Sequence, residues 1–205
     1  MVKLNLSKYE DLYDSFDDGH NRQHLIVVRN CALSLAKKYA PNKIDLVYIA
    51  ATLHDIGLSV NREKHELYGE KIIRSDSKLT SQLSSADLEE ICGAVREHRA
   101  STGNPKTIVA KIVNDADRGG GLDNPSEQFS RAYWYGKKNY TNISDNEQLL
   151  RAAKHQFEKF SPGSYGRRTY FPETEIRLQK IFTPILKAYQ KQNWKYLRSL
   201  VRPLK

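Results

Sequence analysis

Apolar residues recur along most of the chain at intervals of three and four positions, which is the spacing of one face of an α-helix. Between Arg22 and Tyr39 they stand at Leu25, Val28 and Ala32, followed by Leu35. This segment is predicted to be an amphipathic helix. The same reasoning predicts further helices over residues 44–56, 63–74, 85–98, 106–117, 126–137 and 144–160, and a last long helix from 172 onward.

For two of these segments the sequence also predicts which faces are buried. The segment 44–56 is apolar on most sides, so it is predicted to lie at the centre of the fold. Pro172 suits the first turn of the last helix. The inner stripe of that helix is predicted to consist of Ile176, Ile181, Ile185, Leu186 and Tyr189.

Glycine and proline interrupt the pattern at two places. Three glycines at 119–121 end the first run of helices, and the Pro, Gly and Ser content of residues 161–170 predicts a loop. No segment shows the alternation of a strand, and no internal repeat is present. The predicted fold class is therefore all-α, a helical bundle with additional C-terminal helices.

The length of 205 residues favours one domain, 1–205. Its helical core is expected at about 20–118 and a basic helical extension at about 122–205. Basic residues number 13 against three acidic ones in residues 151–205, whereas residues 1–150 hold 20 against 21. The net charge of +9 therefore arises in the last quarter, which could bind nucleic acid or phosphorylated molecules, or form a solvated helical face.

Composition narrows the class of protein. Hydrophobic residues make up 39% and charged residues 28%, the balance of a soluble globular chain. No run approaches the roughly 20 apolar residues of a membrane span, and the acidic amino terminus does not resemble a secretory signal. We therefore expect a cytoplasmic protein without a membrane partner.

Histidine and aspartate supply the candidate chemistry. His54 and Asp55 are adjacent near the carboxyl end of the most apolar helix, where a buried ionised carboxylate is costly unless a cation is bound. His24 lies near the start of the first helix and Asp117 near the end of the fifth. Imidazole and carboxylate together suit divalent transition metals.

This ordered set resembles the HD-domain phosphohydrolase superfamily. The signature of that superfamily is a His on one helix, a His-Asp doublet on a second and an Asp on a later one, and the matching residues here are His24, His54, Asp55 and Asp117. The resemblance covers about residues 20–118 and implies an all-helical bundle around a metal. After Asp117 the chain departs from the usual pattern and continues Arg118-Gly-Gly-Gly.

Two more histidines extend the resemblance. His65 and His98 occupy positions that are associated in the superfamily with two metals bridged by the doublet Asp. On this basis the first ion is held by His24, His54, Asp55 and Asp117, and the second by Asp55, His65 and His98. The alternative is a one-metal protein in which His65 and His98 contact substrate phosphate.

The resemblance implies a metal-dependent phosphohydrolase with Mn, Fe, Co, Zn or Ni as its one or two ions, and Mg as a further option. Metal-activated water would attack phosphorus, Asp55 would orient the nucleophile, and His65 or His98, if not a ligand, could protonate the leaving oxygen. The expected partner is a phosphorylated small molecule, with a nucleotide favoured. Candidate substrate contacts are His20, Arg99, Arg167 and Arg168.

Two other functions remain open. Some members of the superfamily with a similar ligand set use two irons to activate oxygen, so a di-iron oxygenase is the first alternative. The second is a non-catalytic nucleic-acid-binding protein with a structural metal. It is disfavoured because the aromatic residues do not alternate regularly with the basic ones.

Overall fold

The computed structural model describes residues 4–17, 19–118 and 124–203. No strand occurs among them, and helices make up most of each range, which confirms the all-α fold class. The chain divides into two compact units, Met1–Gly121 and Leu122–Lys205. This division falls between the predicted core and the predicted extension, and the single domain over 1–205 stays a prediction. The glycines at 119–121 lie outside the described residues.

The first unit contains seven α-helices among its described residues. Short 3-10 helices at Asp11–Ser15, Pro41–Lys43 and Ile56–Ser59 connect some of them. The α-helices are α1 (Ser7–Glu10), α2 (Arg22–Tyr39), α3 (Ile44–Leu53), α4 (His65–Ser75), α5 (Ser77–Thr80), α6 (Ser85–Glu97) and α7 (Ile108–Asp117).

Helix α3 forms the centre of this unit, as its apolar sequence predicts. It packs against α2, α6 and α7, and α4 packs in turn against α6. Its residues from Ile49 to Leu53 are all buried. The carboxyl end of α3, where the His-Asp doublet follows, is therefore surrounded by protein.

The end of α3 differs from the prediction. The helix stops at Leu53 rather than Ile56; His54 and Asp55 form a turn, and a 3-10 helix follows. The carbonyl oxygen of Ala51, which an uninterrupted helix would pair with the Asp55 N–H, accepts a hydrogen bond from the His54 ring at 2.8 Å. The doublet thus lies at a helix end and not within the helix.

Gly57, in the 3-10 helix after α3, allows α4 to approach closely. A Cβ atom at this position would lie 2.0 Å from the carbonyl oxygen of His65 and 2.5 Å from the backbone nitrogen of Gly69. Both atoms belong to the backbone of α4, so no side chain can rotate away. The absence of a side chain at residue 57 is therefore what places His65 near the doublet.

We expect Gly57→Ala to lower the free energy of unfolding by about 1–3 kcal/mol, the usual cost of overpacking, because α4 must shift. The matched control is Gly93→Ala in α6, where an added Cβ meets nothing within 4 Å. This control should raise stability by roughly 0.5–1 kcal/mol through helix propensity. Urea denaturation measures both, and unchanged stability in Gly57→Ala would contradict the packing argument.

The second unit contains four α-helices among its described residues. Phe160 stacks on Phe182 with ring centroids 3.5 Å apart, and Phe129, Leu149 and Leu178 are buried in the same core. The 161–170 loop contains a 3-10 helix at Tyr165–Arg167. The α-helices are α8 (Pro125–Asn139), α9 (Asp145–Phe160), α10 (Pro172–Gln190) and α11 (Trp194–Leu200).

The predicted inner stripe of α10 is wrong at its first member. Ile176 is 65% exposed, whereas Leu178 is fully buried and continues to Ile181, Phe182 and Ile185. Both registers place apolar residues at helical spacing, so the sequence pattern alone does not separate them. Contacts with α8 and α9 select the second.

No helix among residues 4–17, 19–118 and 124–203 combines the length and the apolar composition needed to cross a lipid bilayer.

Candidate metal centre

Five helix ends or turns bring the six predicted metal ligands together in the first unit. Asn21 caps α2 by accepting from the backbone N–H of His24 at 3.1 Å, which fixes that residue in the first turn. All six ligands except Asp117 are buried. His24 lies in α2, His54 and Asp55 in the turn after α3, His65 at the start of α4, His98 immediately after α6, and Asp117 at the end of α7.

The first group of potential ligand atoms surrounds one oxygen of Asp55. Its Oδ2 atom lies 3.1 Å from Nε2 of His54 and 3.3 Å from Nε2 of His24. The two imidazole Nε2 atoms are 3.2 Å apart. Asp117 Oδ1 lies 3.4 Å from Nε2 of His24, at the edge of this group, and its side chain is 24% exposed.

The second group surrounds the other oxygen of the same carboxylate. Asp55 Oδ1 lies 3.3 Å from Nε2 of His65 and 3.4 Å from Nε2 of His98. These two Nε2 atoms are 3.1 Å apart. Each oxygen of Asp55 therefore faces a different pair of histidines.

Three of the four imidazoles are oriented by the same local contact. In each, Nδ1 donates to the backbone carbonyl three residues earlier, so Nδ1 carries the hydrogen and Nε2 of the neutral ring offers a lone pair. The contacts are His54 to Ala51 at 2.8 Å, His65 to Arg62 at 2.8 Å and His98 to Val95 at 2.6 Å.

This donor set fits divalent metal ions. Lone pairs that face each other at 3.1 Å repel unless a cation or a proton lies between them, and Asp55 Oδ2 has no hydrogen-bond partner within the described part of the chain. Ligand atoms about 2.0–2.2 Å from one ion lie roughly 3.0–3.5 Å from each other. The observed separations of 3.1 to 3.4 Å match that spacing in both groups.

The two groups differ in how they hold protons. Burial lowers the pKa of His24, but the neighbouring carboxylates of Asp117 and Asp55 outweigh it and raise that pKa to about 9. Burial and the neighbouring His98 lower the pKa of His65. Burial would also raise the pKa of Asp55, but the surrounding imidazoles, His54 foremost, hold it well below its usual range.

We expect metal affinity at the first group to rise with pH up to about 9, because below its pKa His24 carries a proton that an ion must displace. One displaced proton makes the affinity change about tenfold per pH unit. The second group should show little change above neutral pH, because the pKa of His65 is lowered. Calorimetric titration in buffers of different ionisation enthalpy counts the released protons, and pH-independent affinity at both groups between pH 6.5 and 8.5 would contradict this expectation.

Asn114 is a residue of the site that sequence reasoning missed. It is fully buried in α7, and its side-chain amide donates to the carbonyl oxygens of Glu97 and His98, both at 2.9 Å. Its own carbonyl accepts from Arg118. The amide thus satisfies two carbonyl groups at the end of α6, where His98 lies. Its position directly after the apolar pair Ile112 and Val113 was the signal that could have identified it.

The candidate substrate residues of the first unit lie beside the ligands. His20 pairs through Nδ1 with Asp17 at 3.0 Å, and its ring centroid is 5.6 Å from that of His24. Arg99 directly follows His98; its side chain is 35% exposed, donates to the Glu63 carbonyl and lies 3.5 Å from Glu66.

The other two candidates, Arg167 and Arg168, belong to the second unit. The Arg167 guanidinium is mostly buried and bonds to the Glu175 carboxylate, whereas Arg168 is exposed. Their contact with a substrate stays a prediction.

Residues 21–119 match the family model of the HD domain. The chain therefore contains an HD domain, and this confirms the resemblance drawn from the ordered histidines and aspartates. All six predicted ligands lie within the matched residues, and the superfamily consists generally of metal-dependent phosphohydrolases. No curated protein and no solved structure matches the chain.

Proposed function

We propose that this protein is a metal-dependent phosphohydrolase that cleaves a phosphate ester or anhydride of a nucleotide or a related small molecule. The observation that carries the proposal is the division of the Asp55 carboxylate, with one oxygen facing His24 and His54 and the other facing His65 and His98. A carboxylate shared in this way is suited to bridging two ions. Divalent ions held there would supply activation of a water molecule and polarisation of a phosphoryl group.

Charge supports an anionic substrate. Six ligands with only two carboxylates, Asp55 and Asp117, would leave a pair of divalent ions with an excess of positive charge. A phosphate group compensates such an excess better than a neutral substrate does. His20 and Arg99 lie beside the ligands and would contact the remaining phosphate oxygens or the rest of the molecule.

The residues of the chain have distinct tasks in this reaction. Asp55, His65 and His98 would hold the nucleophile and the phosphoryl group in line, and the buried positions of all three exclude bulk water from one side. Asp17 fixes the ring of His20 through Nδ1. A substrate contact of Arg167 and Arg168 stays a prediction, with an expected effect on binding more than on turnover.

Metal analysis and a substrate panel test the proposal together. The purified protein should contain transition metal, and phosphate release should be measured with mono-, di- and triphosphate nucleotides in the presence of Mn, Co, Mg or Fe. Chelation should abolish activity and re-addition of metal should restore it. Activity that survives chelation would contradict the proposal, and oxygen consumption by an iron-loaded protein without phosphate release would favour the di-iron oxygenase.

A further inference from the structure

Tyr13 brings the amino-terminal segment into contact with the metal centre. It lies in the 3-10 helix Asp11–Ser15, ahead of the residues that match the HD domain, and it is fully buried. Its hydroxyl donates to the carbonyl oxygen of Thr52 at 3.0 Å and accepts from the backbone N–H of Asp55 at 3.2 Å. The same oxygen is 3.4 Å from Nδ1 of His54.

These contacts satisfy backbone hydrogen-bonding groups at the carboxyl end of α3. The Ala51 carbonyl, the regular helical acceptor for the Asp55 N–H, is engaged by the His54 ring. The Tyr13 hydroxyl accepts a hydrogen bond from that N–H instead and donates one to the carbonyl oxygen of Thr52. One phenol oxygen thus connects a donor and an acceptor that the helix itself leaves unpaired.

We propose that Tyr13 is a positioning residue that sets the orientation of the bridging Asp55 carboxylate and of the His54 ring. Without the hydroxyl, the buried N–H of Asp55 has no such acceptor, and the turn must move to recover one. Because each oxygen of Asp55 faces a different pair of histidines, a small rotation of this turn changes both groups. The inference rests on the proposed metal centre.

The position of Tyr13 is held from both sides. On one side, Lys8 and Tyr9 both bond to the Asp76 carboxylate, and the Lys8 bond remains when the Tyr9 hydroxyl is removed. On the other, Arg22 of α2 pairs with Asp14 at 2.6 Å. Burial, and then the nearby Asp55 charge, raise the pKa of Tyr13 well above its usual value, so its hydroxyl keeps the hydrogen that it donates.

The test compares Tyr13→Phe with Tyr9→Phe, titrating each variant and the parent with Co²⁺ and recording the visible absorption of the bound ion. Both tyrosines are buried in the amino-terminal segment and lose only a hydroxyl, but Tyr9 bonds to Asp76 and not to the ligand turn. Tyr13→Phe should weaken Co²⁺ binding about tenfold, as loss of an outer partner of a ligand commonly does. It should also change the absorption spectrum. Tyr9→Phe should keep the affinity and spectrum of the parent even if its melting temperature falls.

Parent-like affinity and spectrum in Tyr13→Phe would overturn the inference, and so would equal changes in both variants. A parent that binds no Co²⁺ would instead reject the metal centre itself. If Tyr13→Phe does not fold, the hydrogen-exchange rate of the Asp55 backbone amide in the Zn²⁺-loaded parent tests the inference instead. Exchange as slow as that of core amides is expected, and exchange at the rate of an open turn would reject the bond to Tyr13.

Discussion

Replacing Asp55 by Ala is expected to remove both ions and to lower kcat/KM by about 10³-fold or more, the scale on which essential charge-stabilising groups act. The reason is the sharing of one side chain between two groups: Oδ2 faces His24 and His54, and Oδ1 faces His65 and His98. Metal content measured by mass spectrometry and phosphate release measured under saturating metal check the two effects separately.

The matched control is Asp45→Ala, because Asp45 is an exposed residue of the same helix, α3. It should leave metal content and activity unchanged. Circular dichroism must show that Asp55→Ala is folded. Full activity or full metal content in Asp55→Ala would reject the shared-carboxylate mechanism.

Replacing either His65 or His98 by Ala is expected to lower the bound metal by about one ion and the activity by about 10²-fold. Both histidines face Oδ1 of Asp55 and neither is within the group around His24. The first group should therefore keep its ion. Stoichiometry measured in parallel with activity separates a lost ligand from a lost substrate contact.

His155→Ala serves as the control, because His155 is an exposed histidine of the second unit. Constant metal stoichiometry in His65→Ala and His98→Ala, together with reduced activity, would reject the two-metal interpretation. The two histidines would then contact substrate phosphate in a one-metal enzyme, which is the alternative that the sequence left open.

The candidate ligands could be predicted from the sequence because each of them stands in a recognisable local sequence context. His54 and Asp55 stand together in the most apolar segment, where charge is costly, and His24 and Asp117 stand near ends of predicted helices. The structure brings these residues within hydrogen-bonding distance of one another. Their role as ligands stays a prediction that the experiments above test.

Helix boundaries and the buried faces of helices were harder to predict from the sequence. Local spacing predicts α3 to Ile56, but the His54 ring occupies the Ala51 carbonyl and ends the helix at Leu53. Spacing likewise admits two registers for α10, of which the packed core uses the one that leaves Ile176 exposed. In both cases side-chain contacts, and not local spacing, decide the outcome.

The sequence by itself determined the fold class and the kinds of candidate ligand atoms, because helical periodicity and residue chemistry are properties of short segments. Only the tertiary structure decided how those atoms are shared. The division of the Asp55 oxygens, the support of His98 by Asn114 and the contact of Tyr13 with the Asp55 N–H all join segments distant along the chain. Such contacts depend on how helices pack, and no local pattern records that packing.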